Sequence, residues 1–180
     1  DRIRAQGCGL SGVERKQLAL ALRKREYIER QTSRRKQSVR RIWDALKERG
    51  IPVVQPAGAH CILIDVKQVP EFRDFKLPVA SFLAWLFLNT GIRGGAHNAG
   101  MQRNTAINDL VRLAIPVGLS VEQVDSIIER LVELFAQRRN IPELAPTQDS
   151  AESVGDIHGR YELIKYHNAS GPIVSSDPAE

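Results

Sequence analysis

The chain has 180 residues, 42% of them hydrophobic, and a formal net charge of +5, which suffices for one sizeable core or a large part of a bigger one. Its strongly apolar run Val79 to Leu88 is half of the about 20 residues a membrane helix needs, so no membrane partner is expected. Cys8 and Cys61 stand apart with no metal-ligand spacing, and the opening Asp1-Arg2-Ile3-Arg4 lacks a charged-then-apolar leader; both features predict a reduced, cytoplasmic protein without a metal site.

In chain order, Val13 to Arg49 reads as a long helix with a break near Gln31-Thr32-Ser33. Leu18, Leu22, Ile28, Val39, Ile42, Trp43 and Leu46 fall largely at three, four or seven-residue spacings, and Gly50 stops the run. This segment holds 13 of the 26 basic residues, a concentration that raises the possibility of nucleic-acid binding. Its few aromatics, Tyr27 and Trp43, and its acids Glu14, Glu26, Glu29, Asp44 and Glu48 favour a solvated basic face instead, and no nucleic-acid partner is expected.

Val53-Val54 and Cys61 to Val66 are short β-rich runs separated by the turn composition Pro56-Ala57-Gly58-Ala59. Pro78 to Asn89 forms an apolar helix, with proline in its first turn and Gly91 as its stop. Ile92 begins another strand and Leu110 to Ile115 the next. Ser120 then caps an amphipathic helix to about Arg139, with Gln123 completing a capping box. A strand is expected at His158 to Ile164, whereas Thr147 to Gly155 and Ala169 to Glu180 have loop composition. The expected fold class is α+β: a small mixed sheet covered by helices and preceded by a long helix. Its parts are residues 1–50 as lead-in and long helix, 51–164 as a small domain, and 165–180 as a polar tail or linker.

Chemistry concentrates at Asp109-Leu110-Val111-Arg112-Leu113-Ala114-Ile115-Pro116, an apolar strand holding one arginine. A guanidinium buried in such a strand needs an anion, because an unpaired buried charge costs several kcal/mol. A protein carboxylate would make Arg112 a structural ion pair; a ligand carboxylate or phosphate would make it a receptor.

The ordered series Gly50-Ile51-Pro52-Val53-Val54, Pro56-Ala57-Gly58-Ala59-His60, Ile64-Asp65, Gly91-Ile92-Arg93 and Leu110 to Pro116 resembles the carboxy-terminal part of the β-eliminating lyases, the family of tryptophanase and tyrosine phenol-lyase. The resemblance spans about residues 10 to 144. It implies the small domain of a fold-type I pyridoxal 5'-phosphate enzyme, with Arg112 gripping the substrate α-carboxylate. His60 matches a histidine near the family's active site, the alternative being a turn histidine bonded to backbone. His158 falls where tryptophanases carry a histidine and tyrosine lyases a phenylalanine. The Schiff-base lysine and phosphate loop of the family lie upstream of this sequence, so no catalytic or cofactor-binding residue is expected within it.

The departures bear on substrate. Where tyrosine phenol-lyases carry a methionine, a glutamate and a phenol-binding arginine, this chain has Gly94-Gly95-Ala96-His97-Asn98. The resemblance therefore implies a carbon–sulfur lyase acting on a cysteine S-conjugate, of the thiocysteine-lyase type embedded in polyketide synthases. Such an enzyme would act on a free or carrier-protein-tethered amino acid, pair with its large cofactor domain and form a homo-oligomer. Tryptophanase or tyrosine phenol-lyase activity, and a non-catalytic basic interaction module, are the alternatives.

Overall fold

The computed structural model describes residues 11–96, 109–147 and 161–169. Helix α1, Gly12–Leu22, begins at a capping box: the Ser11 hydroxyl accepts from the Glu14 N–H, and the Glu14 carboxylate accepts from the Ser11 N–H at 2.7 Å. Helix α2, Arg25–Glu48, follows after Arg23 and Lys24. The expected break in the long helix is present, but it lies at Arg23-Lys24 and not near Gln31-Thr32-Ser33. Gln31-Thr32-Ser33 stays helical because modest propensities cost only tenths of a kcal/mol where no glycine or proline intervenes. Only the second half of α2 enters the core, through Val39, Ile42, Trp43 and Leu46.

Strand β1, Cys61–Asp65, is followed by two 3-10 turns, Val66–Gln68 and Pro70–Phe72. The expected Val53-Val54 strand is reduced to one bridge between Val53 and Ile64; the N–H of Val54 still donates to Leu63 O at 2.9 Å, but Pro52 has no N–H to extend the ladder. Helix α3, Pro78–Thr90, ends as expected at Gly91, whose φ of 71° is left-handed. The next strand, β2, is Gly95–Ala96, three residues later than expected. Ile92 instead donates its N–H to Thr90 Oγ1 and packs on the core.

Strand β3, Leu110–Ala114, leads to α4, Val121–Gln137, whose N-terminus carries the expected Ser120–Gln123 capping box. Strands β4, Ile141–Pro146, and β5, Tyr161–His167, close the described structure as an antiparallel pair. Ser81, buried in α3, accepts from the Leu144 N–H at 3.1 Å and ties β4 to that helix. Strand β5 runs three residues past the expected boundary at 164.

The fold class is α+β, but neither sheet is mixed. β3 is the central strand of the first sheet, in the order β1-β3-β2, and pairs antiparallel with both neighbours. β1 and β2 thus run parallel without touching, a split arrangement joined through α3. Ile62, Ile64, Val111 and Leu113 turn one face of this sheet into the core, with Trp43, Phe72, Phe82, Trp85, Leu131 and Phe135 around them. Phe72, Phe82 and Trp85 meet at ring separations of 5.3–5.7 Å, within the range for favourable edge-to-face contacts.

Candidate functional site

Alternation along β3 decides where Arg112 goes. Val111 and Leu113 are buried, while Arg112 and Ala114 are exposed, because adjacent strand residues point to opposite faces. This corrects the expectation of a buried guanidinium. Apolar neighbours on the core face made the run look buried on both sides, and the burial argument for an obligatory anion no longer applies. Among the described residues Arg112 makes no ion pair and no side-chain hydrogen bond.

Arg112 stands at the middle of the sheet's outer face. Leu63 is directly opposite it on β1 and Gly95 directly opposite on β2. Cys61 with Ala114, and Asp65 with Leu110, are the next pairs along that face. The floor is thus a guanidinium between a leucine and a glycine. Such a surface can take an anion bidentately through the planar guanidinium.

Gly94 and Gly95 have different roles. A Cβ on Gly94 would lie 2.8 Å from Leu83 Cδ2 and 3.2 Å from both Leu86 Cδ2 and Val111 Cγ1, whereas one on Gly95 would meet nothing within 4 Å. Gly94 is thus closely packed against Leu83, Leu86 and Val111, whereas Gly95 leaves space beside Arg112. His97 and Asn98 lie outside the described residues.

Of the other candidate histidines only His60 falls among the described residues. His60 is exposed before β1, and its backbone carbonyl accepts from Ile115 N–H at 3.0 Å; no bond to its imidazole occurs among the described residues. His158 lies outside the described residues. His167, which sequence reasoning passed over, has a partner: its Nε2 lies 2.8 Å from Glu143 Oε2, and its ring packs on Phe75. That pair ties β5 to β4, away from the first sheet.

Among the described residues the buried arginine is Arg138, only 4% exposed, with a left-handed φ of 41° at the end of α4. Its Nη1 donates to the carboxylate of Glu71. Nothing in the sequence Gln137-Arg138-Arg139 announces this. The basic helix is also partly engaged internally. Arg41 pairs with Asp125, Arg40 with Asp44, Lys47 lies over the Trp43 ring, and Arg35 Nε donates to Ile115 O at 2.7 Å.

Strands β1 to β3 contain no lysine. Lys67 is occupied by Asp109 at 2.7 Å, Lys47 by Gln55 and Lys165 by Glu143. Among the described residues no helix is long and apolar enough to cross a membrane.

Over most of its length the chain with these geometric features is similar to proteins named tyrosine phenol-lyase and tryptophanase. Among its relatives, the tyrosine phenol-lyase of Clostridium tetani is 30% identical over 157 residues, covering 80% of this chain and 33% of the relative. The tryptophanase of Salinibacter ruber is 27% identical over 183 aligned positions, covering 93% and 38% respectively. A probable tryptophanase of Halobacterium salinarum is 34% identical over 110 residues, or 60% of this chain. The chain thus spans about a third of the length of the first two relatives. No family model matches the chain.

Proposed function

We propose that this chain is the carboxy-terminal, small-domain portion of a pyridoxal-phosphate-dependent β-eliminating lyase, and that Arg112 receives the α-carboxylate of an amino-acid substrate. The observation that carries the reading is an unpaired guanidinium at the centre of an open sheet face, opposite a glycine, in a homologue of amino-acid lyases. Its exposure leaves it available to a partner outside the described residues. The cofactor, with the lysine that holds it, is assigned to another part of the complete enzyme, as the resemblance to the β-eliminating lyases implies. When bound there it would supply the electron sink for β-elimination; this chain's contribution is to bind and orient the substrate.

The substrate class proposed is a cysteine S-conjugate, free or tethered to a carrier protein, cleaved at its carbon–sulfur bond to a thiol or persulfide, pyruvate and ammonia in the cytoplasm. Support comes from the open space at Gly95 and from the absence of an arginine between Gly94 and Asn98. A thiolate or persulfide leaves unaided, whereas phenol and indole need ring tautomerisation first. Embedding in a polyketide synthase and assembly into a homo-oligomer with the large domain are parts of the same proposal. Cleavage of tyrosine or tryptophan is the second reading, favoured by the names of the relatives. The internal engagement of Arg35, Arg40, Arg41 and Lys47 weighs against a purely basic interaction module.

Side-by-side pyruvate assays on the complete enzyme test the assignment. S-alkyl and S-acylmethyl cysteines should turn over much faster than tyrosine or tryptophan. Faster turnover of either aromatic amino acid would replace the carbon–sulfur assignment with the second reading.

A further inference from the structure

We propose that Arg35, on the basic helix α2, is a positioning residue for Arg112, acting through one end of strand β3 while the Lys67–Asp109 pair acts through the other. The inference rests on the carboxylate-receptor reading of Arg112 and extends it to side chains that do not touch the substrate.

Strand β3 has incomplete support of its own. β2 offers only Gly95 and Ala96, which pair with Arg112 and Val111. Beyond Arg112, the strand therefore lacks a ladder partner on the β2 side. At that end, Ile115 donates its N–H to His60 O at 3.0 Å and its carbonyl accepts from Arg35 Nε at 2.7 Å. Arg35 is half-buried, so this charge-assisted bond is partly shielded from water. At the opposite end, the Asp109 carbonyl accepts from Val66 N–H at 3.0 Å and its carboxylate meets Lys67 Nζ at 2.7 Å. Arg112 lies three residues from each anchor, about 10 Å at strand rise, at the midpoint of the span they hold.

Bidentate binding of a carboxylate depends on the direction of the guanidinium plane as well as on its charge. A strand free to shift at Ile115 would present the same charge at a less constant angle. Releasing the anchor should thus weaken recognition of the carboxylate selectively, and leave contacts to the rest of the substrate unchanged. A purely structural role would weaken every ligand alike.

The experiment compares competitive binding of L-alanine and L-alaninamide, which lacks the carboxylate, to the complete enzyme loaded with its cofactor. Arg35→Ala should weaken L-alanine about three- to tenfold with little change for L-alaninamide, and Arg35→Lys, which retains a donor, should restore part of the loss. Lys67→Ala, a change at an exposed side chain, should shift the same selectivity in the same direction and keeps the test available if Arg35→Ala does not fold. Equal weakening of both ligands, or no weakening, in variants where Arg112→Ala still selectively impairs L-alanine would overturn the positioning role alone. If Arg112→Ala leaves the selectivity intact, the carboxylate reading fails and the anchoring inference fails with it.

Discussion

Arg112 and Gly95 face one another across the β3–β2 ladder on the outer side of the first sheet, a guanidinium beside the one position on that side without a side chain. Leu63 closes the opposite flank. Among the described residues, the pairing leaves the guanidinium open on the β2 side.

Arg112→Ala in the complete enzyme should reduce substrate capture while leaving the cofactor bound. For an arginine on an exposed sheet face, losing charge-assisted hydrogen bonds to the carboxylate costs about 1.5–3 kcal/mol, which corresponds to about one to two decades in kcat/KM. Steady-state kinetics with cofactor absorbance as the loading control measures it. An unchanged kcat/KM would return Arg112 to the role of a surface arginine.

The adjacent glycines should respond differently to the same added methyl group. Gly94→Ala places a Cβ 2.8 Å from Leu83 Cδ2, and overpacking of this kind typically costs about 1–3 kcal/mol. Gly95→Ala meets open space and should leave stability within about 0.5 kcal/mol, while a larger side chain there, as in Gly95→Leu, should raise KM by crowding Arg112. Urea unfolding separates the two alanine variants, and equal midpoints would contradict the packing assigned to Gly94.

Much of this fold is readable in the sequence where a local signal has a local cause. Gly91 ends α3 by adopting a left-handed φ, and the Ser120 and Gln123 side chains build the cap of α4. The strands around Ile62–Ile64 and Leu110–Ala114 follow from their β-branched and apolar residues. Other features depend on tertiary partners. The outward direction of Arg112 is set by which face of the sheet the helices cover. β4 contains Pro142 and Pro146, residues that ordinarily argue against a strand, and it persists through pairing with β5 and the bond to Ser81. The break at Arg23-Lys24 has no glycine or proline to mark it.

At the N-terminus of α1, acid should loosen the first turn. Hydrogen bonds from the Ser11 backbone and then its side chain hold the Glu14 carboxyl below the usual carboxylate range. Its pKa in the folded state is lower than in the unfolded chain, so the stabilisation is complete above the unfolded value and disappears as pH falls through the folded one. Amide exchange at Ser11 should therefore rise, beyond its intrinsic pH dependence, across that acidic window. In Glu14→Gln, which has no titrating group, the excess should be absent; an identical excess in the variant would assign it to another carboxylate.

The buried pair of Arg138 and Glu71 should be costly to break from one side and cheaper to replace whole. Glu71 Oε2 and Arg138 Nε lack hydrogen-bond partners, so the single contact from Arg138 Nη1 to Glu71 carries most of the compensation for two largely desolvated charges. Removing either partner strands the other, at about 3–5 kcal/mol, whereas well-packed apolar replacement of both is often neutral or better. Glu71→Leu and Arg138→Met should each lower the urea midpoint, and the double variant should recover much of the sum of the two losses. The coupling is measured by the double-mutant cycle. Strictly additive losses would show that the two side chains contribute independently and that their contact does not organise the end of α4.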